Sequence, residues 1–261
     1  MQNKFNNLKE YLKQTGKQGI CLAFSGGIDS LLLLFLCKKV NANFIAVTFK
    51  SDFQTGEEIK LTEQLARKYN VKHIIIDINP LDNKILLENP KDRCYHCKKL
   101  MFSKAAEFAK SKNLQYIMDG TNFDDLHQYR PGLKALSELN IVSPFAKFEV
   151  TKKEIRTFAK ENDIEIFDKP STPCLATRLP YGDKVTKEKL EIIENGEKFL
   201  RENSFECCRV RLHTDIARIE IPSKKFEQFL LKKEEITKYF KILGIKYITL
   251  DIEGFRSGSM D

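Results

Sequence analysis

Apolar residues along this chain come in short runs of strand length, and amphipathic stretches of helix length separate them. Residues 19–24, 43–49, 71–78 and 116–119 are the apolar runs of the first half. Helical periodicity is expected at 4–14, through the leucine-rich 31–36, and at 55–69, 98–112 and 151–162. The last of these opens with Thr151-Lys152-Lys153-Glu154, a capping-box pattern. Such alternation predicts an α/β fold: a parallel sheet with helices on both faces. A turn-rich stretch follows at 168–183, with prolines at 170, 173 and 180 and glycine at 182. Beyond it the pattern reads helix 186–202, strands 207–213 and 215–221, helix or helices within 223–243, and strand 245–252. This is a smaller α+β unit, so the expected domains are 1–183 and 184–261.

The join between the first apolar run and the leucine-rich helix reads Ser25-Gly26-Gly27-Ile28-Asp29-Ser30. Strand, glycine-rich turn and helix start make a phosphate cradle. The glycines let the backbone approach an oxyanion, and the free N–H groups of the helix face it. Ser25 and Ser30 add hydroxyl donors, and Asp29 can hold a magnesium ion. The Lys-Ser/Thr ending of a Walker A loop is missing, as is G-x-G-x-x-G spacing. The hexapeptide resembles the S-G-G-x-D-S signature of PP-loop ATP pyrophosphatases, which implies cleavage of ATP between its α- and β-phosphates. Ligands in open α/β sheets bind beyond the carboxyl ends of the strands. Phe49, Ser51 and Gly120-Thr121-Asn122 lie at that edge and are candidate nucleotide contacts. The polar stretch 121–135 adds Asp124, Asp125 and Arg130. These suit nucleotide, magnesium or pyrophosphate, or else helix capping and surface ion pairs.

With 261 residues, 42% of them hydrophobic, the chain can bury a sizeable core in one large or two modest domains. The longest apolar stretch is about half of the ~20 residues that a membrane span needs. Residues 1–7 carry no secretory apolar core. A cytoplasmic protein with no membrane partner is expected. A balance of 44 basic to 36 acidic residues, +8 overall, fits an anionic partner without choosing between nucleic acid and a phosphorylated small molecule.

Seven cysteines without a secretory signal argue against a disulfide framework. Cys21 and Cys37 sit in apolar segments and read as small core residues. Cys94 and Cys97 form a C-x-x-C, and Cys174 stands in a proline-flanked loop unsuited to burying a thiol. Three thiolates in a reducing compartment suit an iron–sulfur cluster with one iron free of protein ligands. A zinc site completed by His96 or water, and unrelated thiols, remain open alternatives.

Taken together the motifs resemble the LarE family of ATP-dependent sulfur transferases over essentially the whole chain. The matching pieces are the hexapeptide, Asp92-Arg93-Cys94-Tyr95-His96-Cys97-Lys98, Asp119-Gly120-Thr121-Asn122 and Tyr129-Arg130-Pro131-Gly132. They continue with Asp168-Lys169-Pro170, Pro173-Cys174-Leu175-Ala176, Arg178-Leu179-Pro180-Tyr181-Gly182, Arg209-Val210-Arg211 and residues 250–260. The resemblance implies conversion of pyridinium-3,5-biscarboxylic acid mononucleotide to the bisthiocarboxylic acid, a step in making the nickel-pincer nucleotide cofactor of lactate racemase. ATP and Mg²⁺ would activate the carboxylate, with Asp29 taking part in catalysis. In three-cysteine members the positions of Cys94, Cys97 and Cys174 hold a [4Fe-4S] cluster that carries an extra sulfide, with a sulfur donor to refill it. Arg209 and Arg211, spaced i, i+2 on an expected strand, point to one face and suit the substrate's phosphate. Arg256 and Arg178 are further candidates for that phosphate. Glu197 and Glu220 match family positions associated with a divalent metal. A homo-oligomer is expected.

The rival enzyme is a PP-loop tRNA thiolase with a [4Fe-4S] cluster. Against it, the C-terminal unit has no zinc knuckle, long basic face or aromatic stacking pattern, so no nucleic-acid partner is expected. A rival of another class is a non-catalytic metal or sulfur carrier that holds ATP only structurally.

Overall fold

The four apolar runs of the first half become strands β1 (Ile20–Ala23), β2 (Phe44–Lys50), β3 (His73–Asp77) and β4 (Tyr116–Met118). All pair in parallel, in the order β3-β2-β1-β4. The structure, a computed structural model, describes residues 1–127, 130–164 and 173–256. Its helices up to residue 161 are α1 (Gln2–Gly16), α2 (Ile28–Lys39), α3 (Gly56–Lys68), α4 (Lys84–Leu87), α5 (Arg93–Ser111), α6 (Gly132–Glu138), α7 (Pro144–Lys147) and α8 (Lys152–Glu161). All but α4 belong to the first of two units, Met1–Pro80 with Asp92–Thr172.

Successive residues of a strand face opposite sides of its sheet. Ile20, Leu22 and Ala46 pack with Phe5 and Leu8 of α1, the leucines of α2 and Phe158 of α8. Cys21, Ile45, Val47 and Phe49 pack with Phe102, Ala105 and Ala109 of α5 and Leu136 of α6. Burial on both faces is why these strands read as unbroken apolar runs. Helix α2 is apolar nearly all round for the same reason: Leu31 to Leu34, Leu36 and Cys37 are each 1% exposed or less. Capping boxes start α3 (Thr55 with Glu58) and α8 (Thr151 with Glu154), as the spacing at 151–154 predicts.

Helix α5 begins at Arg93 rather than 98. The C-x-x-C therefore lies inside its first two turns, where Cys94, Tyr95 and His96 hide the helical period behind ambivalent residues. Nor is 121–135 a plain loop: it holds a 3₁₀ turn at Asp124–His127 and α6.

The second unit comprises Leu81–Lys91 and Pro173–Asp261. It adds α9 (Lys187–Glu202), α10 (Phe226–Leu231) and α11 (Lys233–Ile242) to strands β5 (Arg209–His213), β6 (Ile216–Glu220) and β7 (Tyr247–Leu250). Strand β6 pairs antiparallel with β5 and parallel with β7. The division falls at Pro173, inside the turn-rich stretch, and takes in an early segment as well. Backbone hydrogen bonds explain this. The side chain of Asn89, fully buried, donates to the carbonyls of Leu179 (3.3 Å) and Pro180 (2.7 Å). Gly182 N–H donates to Asn89 O (3.0 Å), and Val185 N–H to Leu87 O (2.7 Å). No local pattern signals a pairing across that distance.

No helix among the described residues is long and apolar enough to cross a membrane. Of the motif residues above, Tyr129, Asp168-Lys169-Pro170 and Ser257-Gly258-Ser259-Met260 lie outside the described residues.

Candidate active site

Strand β1 runs straight into the glycine turn, with Phe24 N–H donating to Val47 O (2.8 Å). Gly26 then takes φ +73°, a conformation that costs glycine little, and Gly27 becomes the N-cap of α2. The two serines stitch the turn from within. Ser30 Oγ donates to Gly27 O (3.0 Å) and accepts from Ser25 N–H (3.2 Å). Its single proton is thereby used, so the Ser25 hydroxyl donates to Ser30 Oγ (3.2 Å). Gly120, after β4, comes so close that a Cβ there would lie 2.9 Å from Ser30 N. Behind it Asp119 accepts from Thr121 N–H (3.2 Å), the Thr121 hydroxyl (2.6 Å) and the Ser143 hydroxyl (2.6 Å). Asn122 and Asp125 cap each other through backbone N–H groups at 3.1 and 3.2 Å.

In front of this turn lies a cavity of about 290 Å³. One wall is apolar, made of Phe24, Phe49, Met101 and Phe102, the Phe49 and Phe102 rings meeting edge-on at 5.6 Å. The opposite wall carries the loop serines and three carboxylates, each paired with a base. Asp29 meets Lys152 at 2.5 Å, Asp125 meets Arg130 at 3.0 Å, and Asp119 meets Lys98 at 3.8 Å. An apolar slot beside an anion cradle has the form of a nucleotide site. Burial pushes the Asp29 carboxyl above its ordinary range, although Lys152 pulls it back. Asp29 Oδ1 is buried with no hydrogen-bond partner. An unmet carboxylate oxygen beside a phosphate cradle suits a hard cation with oxygen ligands, so the residues fit Mg²⁺.

Helix α5 supplies Lys98, Met101 and Phe102 to the cavity wall. Cys94 and Cys97 precede Lys98 and Met101 by four residues, so all four side chains share one helical face. Cys94 is exposed and Cys97 half-buried. Tyr95 donates its hydroxyl to Glu138 (2.9 Å), and Lys99 meets the same carboxylate at 3.0 Å, tying the first turns of α5 to α6. The core cysteines contrast sharply. Burial pushes the thiols of Cys21, Cys37 and Cys208 up to about 12, which leaves them inert.

In the second unit Cys174 stands at the head of a 3₁₀ turn, Leu175–Arg178. Its carbonyl accepts from the Thr177 hydroxyl (2.7 Å) and from Arg178 Nη1 (3.3 Å). Arg178 is buried, its fork closed on Glu197 at 2.8 and 3.1 Å, and it donates to Pro173 O at 2.7 Å. Arg211 repeats the device. Its fork closes on Glu220 at 3.0 and 3.1 Å, and Nη1 donates to Thr177 O at 2.8 Å. Glu197 also accepts from Val210 N–H (3.2 Å), and Glu220 from Arg218 (3.1 Å). Glu197 and Glu220, expected near a divalent metal, both place their carboxylates inside guanidinium forks. Among the described residues no group of three or more His, Cys, Asp or Glu side chains is assembled for a metal.

Strand register gives the reason. Arg209 lies opposite Glu220 and Arg211 opposite Arg218, so the face expected to meet a phosphate already carries an anion of its own. Arg178 and Arg211 are thus committed to carboxylates. Arg209 differs. It is 8% exposed and stacks on the Phe255 ring at 4.8 Å, with Glu220 and Glu197 near enough to act on its charge. Burial, with Arg178 and Arg211 nearby, shifts its guanidinium below the ordinary arginine range. Arg256 meets Asp251 at 3.8 Å and Glu253 at 2.5 Å.

A sequence model of NAD synthases matches residues 1–112. An uncharacterised protein of Methanocaldococcus jannaschii is 38% identical over 255 residues, 97% of this chain and 95% of its own length. The pyridinium-3,5-bisthiocarboxylic acid mononucleotide synthase of Lactiplantibacillus plantarum is 34% identical over 248 residues, 94% of this chain and 89% of that protein. The chain belongs to the LarE family. The NMN synthetase of Francisella tularensis has the same fold, with a TM-score of 0.54 at 17% identity over 77% of this chain and 95% of that one.

In this LarE-family chain Ser25, Gly27, Asp29, Ser30, Phe49, Gly120, Thr121 and Asp125 come together around one cavity. Gly26, Ser51 and Asn122 are not in its wall. Gly26 makes the turn, Ser51 Oγ accepts from Phe53 N–H (3.3 Å), and Asn122 is engaged with Asp125. Lys98, Met101, Phe102, Gln54 and Lys152 were missed. The first three follow from Cys94 and Cys97 by helical period. Lys152 has no local signal, because its partner Asp29 lies 123 residues away. Cys94 and Cys97 belong to the first unit and Cys174 to the second.

Proposed function

We propose that the chain is an ATP-dependent sulfur transferase that converts pyridinium-3,5-biscarboxylic acid mononucleotide to the bisthiocarboxylic acid mononucleotide, for the nickel-pincer nucleotide cofactor. The observation that carries this reading is α5, which bears two cysteines and, one turn later, a wall of the nucleotide cavity. The product named for the L. plantarum relative supports the choice of substrate.

A carboxylate is a poor electrophile because its charge repels nucleophiles. Its oxygen attacks the α-phosphorus of ATP, the bond to the bridging oxygen breaks, and pyrophosphate leaves. The free backbone N–H groups at the start of α2 would hold the departing anion, and the two serine hydroxyls shape the turn around it. Asp29 would hold Mg²⁺, which neutralises phosphate charge when bound. Sulfide then attacks the acyl carbon, the C–O bond to AMP breaks, and a thiocarboxylate remains; a second round modifies the other carboxylate. The family resemblance gives Cys94, Cys97 and Cys174 as the thiols that would hold a [4Fe-4S] cluster, and none of the three is buried in the core. Bound there, such a cluster offers an iron with an open position for sulfide. The first unit would adenylate, and the second would hold the substrate phosphate through Arg209 and Arg256. Arg178 and Arg211 position the turn of Cys174.

Anaerobic purification with iron and sulfide quantitation tests the reading, with about four irons per chain expected. Cys94→Ala, Cys97→Ala and Cys174→Ala should each abolish thiocarboxylate formation yet keep AMP transfer to the substrate. Equal loss of adenylation in all three would refute it.

A further inference from the structure

The charged side chains around the nucleotide cavity balance. Asp29, Asp119 and Asp125 line it, and Lys152, Lys98 and Arg130 pair with them one to one. A polyanion entering alone would meet three carboxylates whose charges nothing else offsets once their bases turn away. A divalent cation entering alone would have to displace a base already in place. Each ligand removes the obstacle to the other.

Lys152 is where this exchange is most clearly built. It is the first residue of α8, at the positive end of a helix, where a cation is disfavoured. Its backbone N–H is fixed by Asp124 Oδ2 at 2.7 Å, and its ammonium reaches Asp29 Oδ2 at 2.5 Å. The other oxygen, Oδ1, is buried and unpaired. Asp29 thus has one lone pair taken by a lysine and another waiting. The lysine side chain is about a third exposed (31%), so it has room to turn.

We propose that this cavity takes up a divalent cation and pyrophosphate cooperatively, each strengthening the binding of the other, and that Lys152 is the resident counter-ion that yields Asp29 to the cation and turns to the phosphate. This rests on the reading of the cavity as an ATP site and adds to it an order of events and a positioning residue. Lysine suits the task better than arginine, because a single ammonium on a flexible stem can change partners without breaking a two-point fork.

Calorimetric titration of the full chain tests this, with Mg²⁺ alone, pyrophosphate alone, and pyrophosphate in saturating Mg²⁺. The wild-type chain should bind pyrophosphate at least about tenfold more tightly with Mg²⁺ present. Lys152→Met keeps the aliphatic stem and the backbone N–H. It should raise the affinity for Mg²⁺ alone by about fivefold, by removing a competitor, and lower that for pyrophosphate in Mg²⁺ by about tenfold. Lys152→Arg should retain the phosphate affinity in part. Pyrophosphate affinity independent of Mg²⁺ in the wild-type chain, which needs no variant, overturns the proposal; so does unchanged Mg²⁺ affinity in Lys152→Met. A wild-type chain that binds neither Mg²⁺·ATP nor Mg²⁺·pyrophosphate overturns the ATP reading as well, whereas one that binds Mg²⁺·ATP without coupling overturns this inference alone.

Discussion

Replacing Arg211 by alanine should damage the fold before it damages catalysis. The side chain is 2% exposed, and Glu220 is fully buried. Removing the guanidinium takes away a two-point fork at 3.0 and 3.1 Å and the donor at 2.8 Å to Thr177 O. Glu220 keeps Arg218, whose own side chain is 28% exposed. Breaking one side of a buried ion pair costs about 3–5 kcal/mol, because the remaining charge stays desolvated. With a urea slope of about 2 kcal/mol per molar, the unfolding midpoint should fall by about 2 M. Circular dichroism is the suitable probe, since the chain has no tryptophan. Arg211→Met combined with Glu220→Met should be much milder than the sum of the two single changes, as both charges then leave together. A single Arg211→Ala that costs less than about 1 kcal/mol, or a double variant as costly as that sum, would refute the structural role given to this pair.

Arg209→Ala should behave in the opposite way: a stability change within about 1–2 kcal/mol from the lost ring contact, but a KM for the mononucleotide raised roughly tenfold or more while that for ATP holds. Equal effects on both KM values would discard Arg209 as the phosphate ligand. Gly120→Ala must push a Cβ against Ser30 N at 2.9 Å, so kcat/KM for ATP should drop roughly 10- to 100-fold; unimpaired ATP use would show that the close approach is dispensable. Asp29→Asn should raise the thermal midpoint at neutral pH while Mg²⁺-dependent activity is lost. The folded carboxyl titrates above its unfolded value because of burial, so the native state carries a penalty above that folded pKa. The gain over wild type should therefore shrink as pH falls into the ordinary carboxylate range, and a lower midpoint at neutral pH would contradict it.

Much of the first unit was legible because its signals are local. A strand, two glycines and a buried helix announce the anion cradle, and the capping box at Thr151 marks the start of α8 within a residue. The fold class follows from strands buried on both faces. What escaped was non-local. Nothing near Asn89 says that its side chain will hold the backbone of Leu179 and Pro180. Arg211 looked like a phosphate ligand because residue spacing reports which side chains share a face, but not what the neighbouring strand brings opposite them. The register with β6 put Glu220 opposite Arg209, on the face that Arg211 shares, and Arg218 opposite Arg211. Lys152 was hidden for the same reason, as an unremarkable member of a capping motif.

Helix α5 carries one further implication. It is a single rod of 19 residues, with its thiols near one end and nucleotide-facing side chains directly above them. A tilt that opens or closes the cavity must also move Cys94 and Cys97. On the proposed function, sulfur loading and nucleotide occupancy would be linked by one mechanical element, and thermodynamic reciprocity would then require each to alter the other's affinity by the same factor. Such a protein would sense its own readiness, gripping fuel differently when charged and when spent.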